Sequence, residues 1–273
     1  MPRQVAAASL YRDLHRFYAG KDRLFPERTA GLIFFENMMG IFFTGRDLTD
    51  EIFAETAPEL RLVVAGQEYD RDAAVPRMQI PAFALVIPLK HPREFHAVAL
   101  EGWQKAVGLI NLTRGQRAEA GMILDNDTHA GVKVHVAYFA PGKRDAKDRQ
   151  DTRFNFRPAL ARVDRYLILS STDGLARDLV DALQKDAKES TKPIDGAHTL
   201  VQLSGTGLTA ILQANRTALV GQNMVEKGNS KEQAEAEIDG LIGLTRLVKQ
   251  ARLAGTGEKT GLRLRLDLTL NLP

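Results

Sequence analysis

Leucine alternates with polar residues near the end of the chain: Leu262, Leu264, Leu266, Leu268, Leu270 and Leu272 are separated by Arg263, Arg265, Asp267, Thr269 and Asn271. A period of two belongs to a strand whose faces meet different surroundings. The pattern therefore predicts an antiparallel strand with its leucines buried and its other face in water. The glycine-rich residues 255–261 form the turn of a hairpin whose first strand includes Leu253. Short apolar runs at 60–65, 82–89, 122–124, 132–139, 159–163, 166–170 and 198–203 predict further strands. The turn formers 125–131 join two of them into a hairpin.

Other segments carry the helical period. Phe95, Val98, Ala99, Trp103, Ala106, Val107 and Ile110 form one apolar stripe, which predicts a helix from Pro92 to about residue 112 with its lone tryptophan in core packing. Ser171, Thr172 or Asp173 caps a helix carrying Leu175, Leu179, Val180 and Leu183. Residues 208–225 form another helix, and Ser230 starts one that buries Ala234, Ile238, Leu241 and Ile242. Near the start, Leu10, Leu14, Phe17 and Tyr18 recur at helical spacing. Phe34, Phe35, Met38, Met39, Ile41, Phe42 and Phe43 follow closely, and buried helix or hairpin packing is the simplest account of them. An apolar surface that meets a lipid or a partner is the sharper one. Residues 70–76, 141–153 and 185–196 read as polar loops or linkers.

Strands in consecutive pairs imply α+β: a large, curved antiparallel sheet with helices packed on one face, behind a helical N-terminal lead. Residues 1–54 form that lead, and residues 55–273 the α+β domain.

Composition narrows the function classes. The chain has no cysteine, which removes thiol catalysis, zinc–thiolate sites and disulfides together. Its net charge of +3 stands against 37 basic and 34 acidic side chains, a small excess that gives no reason to expect nucleic acid as a partner. No run reaches the roughly 18–20 apolar residues that span a bilayer, so no membrane span is expected. Residues 1–10 lack the apolar stretch of a signal peptide. The expected compartment is cytoplasmic, or the cell envelope or periplasm if an export segment lies upstream.

The segment Arg162-Val163-Asp164-Arg165-Tyr166-Leu167-Ile168-Leu169-Ser170-Ser171-Thr172-Asp173-Gly174-Leu175 runs from strand through a serine turn into a helix. It resembles the signature of a bacterial family of uncharacterised proteins, the domain of unknown function 3352. Phe83-Ala84-Leu85-Val86-Ile87-Pro88-Leu89-Lys90, the helices between Leu208 and Gln250, and the strand from Gly261 agree with it, so the resemblance covers about residues 55 to 273. It implies an exported or envelope-associated protein and attaches no activity or catalytic set.

The candidates for chemistry are few. Asp125, Asp127 and His129 put three potential ligands within five residues, but the pattern departs from a calcium loop after its second acid, and a hairpin turn explains it. His91 and His96 are five apart and lack the glutamate of a zinc helix, while His129 and His135 straddle a turn and a strand. Ser170, Ser171 and Ser204 sit in no nucleophile elbow, and helix capping explains the first two. Gly205-Thr206-Gly207 lacks the rest of a nucleotide fingerprint. Arg153, Arg157 and Arg162 with Lys133, Arg263 and Arg265 could gather on one sheet face and attract anions, although acids lie near each. No catalytic, cofactor-binding or metal-ligating residue is assigned, and no cofactor. The expectation is a non-enzymatic envelope or surface protein acting through protein contacts. The alternative is a carrier that holds a lipid or other apolar ligand between sheet and helices, with residues 32–43 as its binding segment.

Overall fold

The structure, a computed structural model, describes residues 1–27, 30–69, 75–140, 150–189, 197–258 and 261–271. The loop acids Asp70 and Asp72, the linker residues 141–149 and 190–196, the hairpin tip 259–260 and Leu272 lie outside the described residues.

Among the described residues ten antiparallel strands form one open sheet in the order β10-β9-β8-β1-β2-β3-β7-β6-β5-β4. The strands are β1 (Gln4–Leu10), β2 (Leu60–Ala65), β3 (Ala82–Pro88), β4 (Met122–His129), β5 (Val132–Phe139), β6 (Ala159–Val163), β7 (Tyr166–Ser170), β8 (Ala197–Ser204), β9 (Val248–Glu258) and β10 (Gly261–Leu270). The helices are α1 (Leu14–Ala19), α2 (Lys21–Leu24), α3 (Ala30–Phe42), α4 (Pro92–Gly115), α5 (Asp173–Glu189), α6 (Gly205–Ala214), α7 (Arg216–Lys227) and α8 (Lys231–Leu247). From β2 onward the order follows the hydrophobic pattern, and the fold class is the expected α+β. One expected helix, 208–225, is divided at Asn215 into α6 and α7.

Helices cover both faces, not one. The central strands are apolar on each side, so each side requires a cover. Ala82, Ala84 and Val86 of β3, Ala159, Ala161 and Val163 of β6, and Ile168 of β7 pack with Leu175, Leu179, Val180 and Leu183 of α5. On the opposite face Leu160 and Leu167 meet Phe95 and Ala99 of α4, with Ile87, Leu169 and Trp103 beside them. Each fully buried aliphatic side chain contributes about 1.5–3 kcal/mol against the entropy of ordering the chain.

The N-terminal lead begins with a strand. β1 lies between β2 and β8 in the middle of the sheet, so the boundary expected at residue 54 runs through paired strands. Its Ala6-Ala7-Ala8 core has weak strand preference by itself, and pairing on both edges overrides that preference. The small side chains also leave room for α6, where a Cβ on Gly207 would lie 3.2 Å from Val5.

Turn chemistry differs from expectation in one place. β4 continues through Asp125, Asn126 and Asp127 to His129, and only Ala130 and Gly131, both with positive φ, form the turn. Two positive-φ residues match the twist of a tight hairpin.

β10 is a strand, as its alternation requires, but its leucines are not buried. Leu262, Leu264, Leu266, Leu268 and Leu270 are 48–61% exposed. Among the described residues β10 is the edge of the sheet, paired with β9 alone. Strand period reports that two faces differ, not that a neighbour covers one of them.

α3, the phenylalanine- and methionine-rich segment, is helical but has no buried residue, and Phe34 is 65% exposed. Its end is anchored by Phe43, whose ring fills the space a side chain at Gly102 of α4 would need.

Candidate functional site

α4 starts cleanly with Pro92 at its first turn, where the missing N–H removes no helical bond. Its first half sits on the sheet through Phe95 and Ala99. Further along, Leu109 and Ile110 remain 36% and 43% exposed. They face a groove of about 930 Å³ whose sheet wall is Leu62 of β2, Phe83 and Leu85 of β3 and Leu169 of β7. These residues share a face because Leu62 pairs with Leu85, Leu85 with Leu169, and Phe83 with Val64. Leu62 and Phe83 are 45% and 51% exposed in the middle of the sheet, where large apolar side chains are ordinarily covered.

Trp103 lines this groove while packing against the core beneath it. The charged residues in the lining are both cations, Arg114 and Arg153, whose guanidiniums stand 4.7 Å and 5.9 Å from the Phe139 ring. Arg114 also meets Glu119 at 3.1 Å, and Arg153 meets Asp151 at 3.5 Å. The groove therefore has apolar walls and, at one end, two arginines that share their charge with acids outside the lining. Its volume lies within the range of sites for small ligands.

The serine turn of β7 and α5 has structural roles. Thr172 caps α5 by accepting from the Leu175 N–H, so the expected capping falls to it rather than to Ser170 or Ser171. Ser170 donates to the Thr172 carbonyl, and Ser171 accepts the Phe83 N–H of β3. Ser204 caps α6 by accepting the Gly207 N–H, and Ser230 forms a capping box with Gln233. The Gly205-Thr206-Gly207 sequence is the first turn of α6. A Cβ on Gly205 would fall 1.7 Å from the Val248 carbonyl oxygen, which gives that glycine a packing reason.

A second cavity, of about 600 Å³, opens beside α5. Its charges satisfy one another. Arg177 meets Asp127 at 2.7 Å and Asp173 at 3.3 Å, Arg157 meets Asp173 at 3.1 Å, and His129 meets Asp181 at 2.8 Å. Arg3 bridges Glu68 and Asp178. The Asp127 carboxyl is held below its usual range by the Thr128 N–H and the Arg177 guanidinium. Asp127 and His129 thus serve separate pairs across α5, while Asp125 accepts the adjacent Asn126 N–H. The six basic residues do not form one surface either. Arg153, Arg157, Arg162 and Lys133 belong to the β5–β7 end, and Arg263 and Arg265 to the opposite edge.

Two histidines that the sequence keeps apart come together. His96 of α4 and His135 of β5 stack at 5.7 Å between ring centres. His96 Nδ1 and His135 Nε2 are buried and have no hydrogen-bond partner among the described residues. Burial holds both imidazoles below the usual histidine range, assisted by Arg162 and Lys133 at His96 and by Lys133 and His96 at His135. The unfolded chain therefore takes up protons first. Stability present at neutral pH falls as the pH drops below about 6.5. The melting temperature should decrease from pH 7.5 to pH 5.5, and His135→Leu should flatten that slope. An unchanged slope in the variant would remove the pair from this account. His91 instead meets Glu55 at 2.9 Å.

No protein-family model and no curated protein matches the chain. Among solved structures, one titled "Structure of crystal form I of TP0453" aligns over 97% of this chain and 74% of that chain, at 9% identity and a TM-score of 0.29. Likeness at that level carries no argument about fold or function.

The groove itself was not legible as a site. The α4 stripe reads as core packing, and the signal for something else is Leu109, which extends the apolar surface past it. The segment 32–43 does not line the groove.

Proposed function

We propose that this is a non-enzymatic binding protein that carries an apolar chain with an anionic head in the groove between α4 and the sheet. The observation that carries the proposal is the groove itself, about 930 Å³ with walls of leucine, isoleucine and phenylalanine left open to water. Among the described lining residues the charged ones are Arg114 and Arg153 at one end, each beside an acid, and a carboxylate or phosphate head joins these pairs there. The absence of catalytic action is part of the proposal. It is supported by the second cavity, where acids and bases close on each other in ion pairs. The envelope setting that the family resemblance implies belongs to the same reading, and it suits a carrier of amphiphiles.

Native mass spectrometry of protein purified from its own host, followed by organic extraction, tests the proposal. A stoichiometric amphiphile is expected. Protein that flies at its bare mass, with no lipid in the extract, would contradict it.

A further inference from the structure

The two edges of the sheet differ in how they would meet a copy of themselves. An edge strand presents unpaired N–H and C=O groups and pairs with another strand unless its side chains prevent it. β4 carries Asp125 and Asp127 around Asn126. Antiparallel pairing of β4 with its copy about Asn126 would place Asp125 opposite Asp127, acid against acid. Moving the axis to Asp125 or Asp127 sets an acid against itself. In each of these three registers β4 meets its copy acid to acid.

β10 does the reverse. A two-fold axis through Leu266 places Leu266 opposite itself, Leu264 opposite Leu268 and Leu262 opposite Leu270. On the other face it places Arg265 opposite Asp267, twice. In the single chain Arg265 Nε reaches Asp267 Oδ1 at 2.9 Å along the same strand, so the pair needs only to exchange partners between copies. Moving the axis one residue either way sets Arg265 against Arg265 or Asp267 against Asp267, and an axis at Leu264 sets Arg263 against Arg265. Cross-strand neighbours of this kind decide register, since like charges directly opposite destabilise it.

We infer that β10 is a self-association edge, where a second copy of this chain adds its own β10 antiparallel about Leu266. The axis is perpendicular to the sheet, so the leucine faces of both copies lie on one side and the sheets join into one. The contact is isologous and closes as a dimer. It gives the outward backbone groups of β10 their partners and brings the exposed leucines, 48–61% open in the single chain, into cross-strand contact. It is independent of the groove, which lies over β2, β3 and β7.

The chain contains no cysteine, so single cysteines report the register directly. Under mild oxidation Leu266→Cys should form a covalent dimer. Leu264→Cys alone should not, because residue 264 of each copy would lie about 14 Å apart along the strands, beyond the roughly 7 Å a disulfide spans. Leu264→Cys mixed with Leu268→Cys should cross-link. Asp267→Arg should shift the uncross-linked protein from dimer to monomer, and Arg265→Asp combined with Asp267→Arg should restore the dimer. Equal self-cross-linking of Leu264→Cys and Leu266→Cys, or a monomer at the highest soluble concentration, would overturn the inference.

Discussion

Replacing Asn155 with alanine should destabilise the protein by about 3–5 kcal/mol, the largest effect expected of a single side chain away from the apolar core. Asn155 is 1% exposed and uses its whole amide. Its Oδ1 accepts from the Tyr69 hydroxyl at 2.6 Å and the Ile80 N–H at 2.8 Å, and its Nδ2 donates to the carbonyls of Met78 and Thr152 at 2.9 Å and 3.0 Å. Four groups from three separate segments would lose a partner in one substitution. Each unsatisfied buried group costs about 1–3 kcal/mol, reduced where water or relaxation intervenes. Tyr69 is also pushed up to about 12 by burial, so its hydroxyl remains a donor with no alternative role as an anion. Urea unfolding of wild type and Asn155→Ala measures the difference. A loss below about 1 kcal/mol would mean that the three segments hold together without the clamp.

Phe83→Asp should weaken binding of an acyl chain about 30-fold or more while leaving the fold intact. Phe83 is half-exposed on the groove wall, so little packing is lost in the empty protein. In the complex the substitution removes roughly 1 kcal/mol of apolar contact. It also forces a carboxylate to be desolvated beside a hydrocarbon, at a cost of a further few kcal/mol. Together these exceed about 2 kcal/mol, which is the stated factor. Competition with a fluorescent fatty acid measures it, with a melting curve to show that the variant is folded. Unchanged affinity in a folded variant would move the binding site elsewhere.

Much of the architecture could be read from period alone, because local side-chain alternation reports local backbone form. The stripe on α4, the Thr172 turn into α5 and the capping box at Ser230 are examples. What period does not carry is coverage. The leucines of β10 have the pattern of a buried face, yet they lie at an edge, and β3 reads as one apolar strand although its two faces meet different helices. β1 is not legible in the sequence because alanine reports neither form strongly, and its place between β2 and β8 is decided by partners fifty or more residues away. Residues joined only by folding were also out of reach. His96 and His135, Asn155 and Tyr69, and the two walls of the groove lie too far apart in sequence for any spacing to relate them.

The groove contains the chain's single tryptophan, and this gives the most direct test of the central claim. Titrating the protein with a brominated fatty acid below its micelle concentration should quench Trp103 fluorescence saturably, at one acid per chain, and the quenching should be relieved by an unlabelled acid of the same length. Quenching that rises linearly without saturation, or none at all, would contradict an apolar-chain site between α4 and the sheet.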